Sequence, residues 1–186
     1  MAGAAVGLPL RTARLTVRYA RPDDWPGYQA IVAARQADPA LWYTDHQWNL
    51  ADDAMRNALH YIAGTGEWYS VCLRGGALAG YFCLGVHDGR AELGYAFHPD
   101  HRGRGYAAEA GEALLGRAFQ ALDAQAIFAG TAAHNDRSRR LLERLGFEQV
   151  RALEVSFVNG PDGAPLTFEG IEYKLARETW AARRAV

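Results

Sequence analysis

At Arg102-Gly-Arg-Gly-Tyr-Ala107 the hydrophobic pattern of this chain changes period within a single short loop. Upstream, Ala91 to Phe97 reads as a strand that leaves through His98-Pro99-Asp100. Downstream, Ala107, Ala110, Leu114, Ala118 and Leu122 recur every three or four residues and mark one buried helix face. Glu109 and Glu112 suit the first turns of that helix, where the backbone dipole is positive. Strand, glycine loop and helix in direct succession call for a mixed α/β architecture. Glycines permit positive φ and close approach to N–H groups, so the loop is expected to cradle a pyrophosphate at the helix N-terminus. The plainer reading is an exposed turn carrying two arginines for solubility.

The remaining segments agree with a mixed fold. Leu15 to Tyr19 alternates as a first strand, and Asp23 precedes a helical stretch through Tyr28, Ile31 and Val32. A second helix is expected from about Asp52 to Ile62. Strands follow at Glu67 to Leu73 and Ala77 to Val86, joined at Gly75-Gly76, and Asp88-Gly89 turns the chain into Ala91 to Phe97. Ala126 to Thr131 reads as a strand, and Asn135 to Leu145 as a helix closed by Gly146. Phe147 to Val158 and Leu166 to Leu175 read as a terminal strand pair around the hairpin loop Asn159 to Pro165. With 186 residues, 49% of them apolar, and no linker, residues 1–186 are expected to be one domain with a flexible N-terminus over 1–10.

Charge and cysteine usage exclude several classes. No apolar run reaches the roughly 18 residues that cross a bilayer, and Met1 to Leu10 lacks the leading basic residue of a secretory signal. Cys72 and Cys83 read as reduced core thiols, which fits a cytoplasmic protein. Twenty basic residues face twenty-one acidic ones, so no global field draws nucleic acid. Nineteen of the twenty are arginine, which reads as a genomic bias. His98 and His101 have no cysteine partner and no zinc spacing, so no metal is expected; His134 stands beside Asn135.

Three nucleotide readings of the loop compete. A P-loop fails because no Gly-Lys-Ser/Thr follows. Gly103-x-Gly105-x-x-Ala108 satisfies a relaxed dinucleotide pattern, but the next strand ends in Gly130-Thr131 instead of the carboxylate that would bind a ribose. The third reading is a loop for the pyrophosphate of coenzyme A.

Here the residues resemble the GCN5-related N-acetyltransferases (GNAT superfamily), whose loop has the form Arg/Gln-x-x-Gly-x-Gly/Ala; Arg102, Gly105 and Ala107 fit it. The sequence is similar to the RimJ/RimL-like ribosomal-protein N-acetyltransferase branch at several further points. These are Leu10-Arg-Thr-Ala-Arg-Leu15, Gly94-Tyr95, Gly103-Arg-Gly-Tyr-Ala107 with Glu109, Asn135-x-x-Ser138, Leu145-Gly-Phe147 and Tyr173-x-Leu-x-Arg-Glu-x-Trp180.

The resemblance implies a three-layer fold whose twisted mixed sheet splays between its fourth and fifth strands, with acetyl-CoA as co-substrate in the gap. It implies that main-chain groups near Phe97 and His98 meet the pantetheine, and that one N–H stabilises the oxyanion. Arg102, Gly103, Arg104, Gly105, Tyr106 and Ala107 would hold the pyrophosphate, and Asn135 would contact the cofactor. Ser138 would lie near the sulfur, and because Leu142 stands where many relatives have a tyrosine, the acid role falls on Ser138, on water or on nothing. For the base, Glu92 or a water it orders is expected, since it lies on the strand nearest the thioester, although alternation could equally turn it to solvent or into a salt bridge; Gly130 stands where some relatives have a glutamate, and His134 comes second. The aromatic segment Leu41 to Trp48 supplies acceptor-pocket candidates in Trp42, Tyr43, Asp45, His46 and Trp48, unless those rings only pack a loop onto the sheet.

The expected function is transfer of an acetyl group from acetyl-CoA to a primary amine, a protein N-terminus or a small molecule, by direct attack in a ternary complex. The expected partners are that acceptor, with no nucleic acid and no membrane, and the expected state is monomer or homodimer. The competing functions are a non-catalytic acyl-CoA sensor and a dinucleotide-binding protein.

Overall fold

The computed structural model describes residues 7–39, 41, 48–159 and 163–185. Eight strands form one sheet in the order β1-β2-β3-β4-β5-β6-β8-β7. They are β1 (Leu10–Arg11), β2 (Leu15–Tyr19), β3 (Trp68–Leu73), β4 (Leu78–His87), β5 (Arg90–Phe97), β6 (Ala126–Ala132), β7 (Glu148–Asn159) and β8 (Pro165–Ala176). The helices are α1 (Trp25–Gln36), α2 (Asp52–Thr65), α3 (Tyr106–Gln120), α4 (Asp136–Arg144) and α5 (Arg177–Arg183). The expected mixed α/β class and three-layer arrangement are found.

The layers follow from strand alternation. One face of the sheet presents Val17, Tyr69, Val71, Phe82, Leu84, Leu93 and Phe97 to α3, α4 and α5, which contribute Leu114, Leu115, Phe119, Leu142 and Trp180. The opposite face presents Tyr81 and Ala96 to α1 and α2, which contribute Tyr28, Ile31, Met55, Leu59 and Ile62. The turn into β5 is tight because Asp88 and Gly89 both take positive φ, at 51° and 77°. Leu10, assigned from sequence to a flexible N-terminus, is buried and pairs with Val17.

All neighbouring strands run antiparallel except β5 and β6. That parallel pair keeps register only at Arg90↔Ala126, Ala91↔Ile127 and Glu92↔Phe128. Beyond these pairs β5 continues to Phe97 and β6 to Ala132 without pairing, so the sheet opens between them. In the sequence numbering, which did not count β1, these are strands four and five. The opening lies where the resemblance implied it.

Candidate active site

A cavity of about 1090 Å³ fills this opening and joins the two faces of the sheet. Leu93 to Phe97 form one wall and Gly130, Thr131 and Ala132 the other. Strand geometry decides which backbone groups are available there. His98 N–H donates to the Ala79 carbonyl at 3.0 Å, so it is spent on β4. Alternation then turns the main-chain groups of Phe97 and Tyr95 toward the opening. Of the expected pair, Phe97 lines the cavity and His98 does not. The His98 ring instead caps its own turn, accepting from Asp100 N–H at 3.3 Å.

The loop from β5 to α3 closes one end. Gly103 and Gly105 take φ of 71° and 77°, conformations that side-chain-bearing residues rarely adopt. Gly105 is the N-cap of α3 and has no side-chain cap, so the first-turn amides of the helix are left to a ligand. Arg102 Nη2 and His101 Nδ1, both on cavity-lining residues, are buried without a hydrogen-bond partner. Burial holds the His101 imidazole below its ordinary value, so the ring is neutral near pH 7. Orphan donor, open amides and helix dipole together suit an anion. Arg104 lines a second, smaller hollow behind the loop together with Arg14 and Arg144.

The loop is held from behind by an acid. Glu109 accepts from Arg14 N–H at 2.8 Å, from Arg14 Nε at 2.6 Å and from the Thr12 hydroxyl. Arg14 also donates to the Arg104 carbonyl at 2.8 Å and lies 4.8 Å from the Tyr106 ring centroid. The motif at Leu10 to Leu15 and the acid at 109 are therefore two halves of one clamp. In front, Arg102 pairs with Asp38, just past the end of α1, at 2.8 Å.

Helix α4 supplies the next wall. Asn135 is its N-cap, and its Oδ1 accepts from Ser138 N–H at 3.2 Å. The Ser138 hydroxyl lies 2.6 Å from the Tyr95 hydroxyl. Burial pushes the Tyr95 phenol up to about 12, so it keeps its proton near neutrality. Leu142 is fully buried in the core. Tyr95 entered the sequence reading only as part of a motif, although its place two residues before Phe97 on one strand face marks it as a cavity residue.

On the α1/α2 side the wall is aromatic. Trp48 meets Trp68 edge-on at 6.0 Å, Trp68 lies 5.3 Å from Tyr81, and Cys83 and Arg35 complete this end. Burial pushes the Cys83 thiol up to about 11, which leaves it protonated and a poor nucleophile. Of the expected acceptor residues Trp48 is here; Trp42, Tyr43, Asp45 and His46 lie outside the described residues. Trp68, Tyr81 and Cys83 were missed because alternation tells which face a strand residue takes, not which neighbour covers it.

Glu92 is not brought to this site. It sits at the last paired position of β5 and β6, its side chain is 76% exposed, and it pairs with Arg90 at 3.1 Å. The buried residues of its sheet face are further along, at Ala96 and Tyr81. His134 is exposed and does not line the cavity. Among the described residues no group of three or more His, Cys, Asp or Glu is arranged to hold a metal, and no helix is long and apolar enough to cross a membrane.

Comparison with known proteins agrees with this geometry. The model of the acetyltransferase (GNAT) domain matches residues 14–148. An uncharacterized N-acetyltransferase of Bacillus subtilis, YnaD, is 26% identical over 145 residues, covering 75% of this chain and 82% of that protein. A GNAT-family acetyltransferase from Bacillus anthracis superposes with a TM-score of 0.71 at 22% identity, over 91% of this chain and 98% of that one. Mutant forms of the spermidine/spermine N-acetyltransferase SpeG from Vibrio cholerae give 0.74 at 18% identity, over 93% and 99%. A structure proposed to be a ribosomal-protein-serine acetyltransferase, also from Vibrio cholerae, gives 0.70 at 20% identity, over 89% and 95%. A sheet opened at its one parallel seam, a glycine loop at a helix N-terminus and a family match across most of the chain lead to one conclusion: this protein belongs to the GNAT acetyltransferase domain family and is an acyltransferase that acts on amines.

Proposed function

We propose that the protein is an acetyl-CoA-dependent N-acetyltransferase of RimJ/RimL-like type, acting by direct attack of a protein or peptide α-amine. The observation that carries this reading is the three-pair seam between β5 and β6, which ends where the cavity begins and leads to the glycine loop. Arg102 and the amides of Gly103 to Ala107 hold the diphosphate, with Arg104 at its rim. Asn135 offers its remaining amide to the pantetheine, and Phe97 N–H is the donor for the oxyanion. Ser138 donates to the departing sulfur. The acceptor enters from the Trp48, Trp68 and Tyr81 side, and Cys83, held as a thiol, takes no acyl group.

The α-amine is favoured over a lysine by the position of Glu92 outside the cavity. An α-amine titrates near 8 and a lysine near 10.4, so at neutral pH the former presents roughly two hundredfold more free base and needs less help from a carboxylate. The likenesses to a structure proposed to be a ribosomal-protein-serine acetyltransferase and to SpeG both support the fold and leave the choice of amine to the site.

Calorimetric titration with acetyl-CoA, followed by thiol release with free-α-amine peptides, spermidine and an α-acetylated lysine amide, tests the reading. Saturable binding and peptide-dependent release are expected. Binding without release by any amine would favour a sensor, and stabilisation by NAD but not CoA would favour a dinucleotide site.

A further inference from the structure

The cavity contains a half-buried hydroxyl pair that the preceding roles leave half used. Tyr95 comes from β5, at the edge of the open seam, and Ser138 from the first turn of α4. Their hydroxyl oxygens are 2.6 Å apart, and the Tyr95 hydroxyl is also 3.3 Å from the Ser138 carbonyl. Both residues line the cavity. Phe82, 5.6 Å from the Tyr95 ring, packs the phenol from the core side. Ser138 N–H is bound to Asn135, so the serine backbone is fixed as well.

Building on the proposed transferase chemistry, the geometry points to Tyr95 as the positioning residue of the leaving-group donor: its phenol donates to Ser138 Oγ and so aims the serine proton into the cavity. A serine hydroxyl rotates freely about its C–O bond and, on a helix, tends to bond a carbonyl one turn back. The phenol is the more acidic of the two hydroxyls and lies closer to Oγ, at 2.6 Å, than to the Ser138 carbonyl that it could also reach, at 3.3 Å, so Oγ is its acceptor and the serine hydrogen points elsewhere. Donation into Oγ also strengthens the donation out of it, since hydrogen bonds in series polarise one another.

The step balances without any further reagent. The nitrogen–carbon bond forms and the carbon–sulfur bond breaks, with its electron pair leaving on sulfur. Ser138 donates a hydrogen bond to that sulfur as the charge develops. The amine nitrogen loses one proton to solvent, and the thiolate gains one from solvent on release. Tyr95 and Ser138 end as they began.

The test has two arms. In apoprotein labelled with [ζ-13C]tyrosine, the resonance removed by Tyr95→Phe is expected to shift in Ser138→Ala and to stay in place in Ser138→Thr, which keeps the hydroxyl. In thiol release from acetyl-CoA with a free-α-amine peptide, Tyr95→Phe is expected to lower kcat by roughly tenfold with an unchanged KM for acetyl-CoA. The Tyr95→Phe/Ser138→Ala double variant is expected to be no slower than Ser138→Ala alone. An unmoved resonance, multiplicative losses, or a loss confined to KM would overturn the positioning role. Failure of wild-type protein to bind acetyl-CoA would instead overturn the transferase reading, and the apoprotein arm would still report on the pair.

Discussion

Glu109 and Arg14, 95 positions apart in sequence, meet at 2.6 Å behind the glycine loop. Burial alone would raise the Glu109 carboxyl, but hydrogen bonds from Thr12 and from the backbone and guanidinium of Arg14 outweigh it and hold the carboxyl below its ordinary value. A carboxyl lowered in the folded state stabilises fully above its unfolded value, here 4.5, and less as pH falls through the folded one. Glu109→Gln is therefore expected to cost about 1–2 kcal/mol at pH 7, or roughly 3–8 °C in Tm. The difference between the two proteins is expected to shrink below about pH 4.5, as thermal melts across pH will read; a constant difference contradicts the clamp.

Gly105 caps α3 at φ 77°, and a Cβ there would meet Arg14 Nη2 at 3.4 Å. Gly105→Val combines left-handed strain of about 1–2 kcal/mol with a side chain in the anion cradle. Affinity for CoA, measured calorimetrically, is expected to fall at least about tenfold. Gly103→Ala, where a Cβ meets nothing within 4 Å, keeps the strain without that contact and is expected to weaken CoA less.

Glu92 faces solvent beside Arg90. Glu92→Gln is expected to leave kcat/KM within about twofold across the pH profile, since its carboxylate does not line the cavity and an exposed ion pair adds little to the fold. Loss of an ionisation from that profile would restore the carboxylate as a base.

Trp68 and Trp48 line the cavity on the side proposed for the acceptor. Trp48→Ala is expected to raise the peptide KM by roughly tenfold while the affinity for acetyl-CoA stays as in wild type. Steady-state kinetics with both substrates varied distinguishes this from a general loss of fold, which would move both constants.

The Cys83 thiol, pushed up to about 11 by burial, is expected to react slowly with iodoacetamide at pH 8, and no acyl-cysteine is expected by mass spectrometry after acetyl-CoA is added without acceptor. A stable acetyl adduct on Cys83 would argue for a covalent route.

Much of this architecture was legible in the residues. Every strand long enough to alternate was readable, as were α3 from its apolar spacing and the turn at Asp88-Gly89. What escaped was short or depended on the third dimension. β1 is two residues long, and α5 buries only Trp180, so neither carries a period. Glu92 was close to the expected chemistry along the strand, yet it lies on the paired side of the point where the seam ends. Tyr95, two residues beyond Leu93 on the same strand, lies on the open side, and its partner Ser138 is 43 positions away.

The slot at the centre of this protein is made by backbone that stops pairing, and side chains only furnish it. Amino-acid replacement can redecorate both mouths without shifting the groove itself. Proteins sharing about a fifth of their residues with this one can therefore keep the same frame while differing in what they admit.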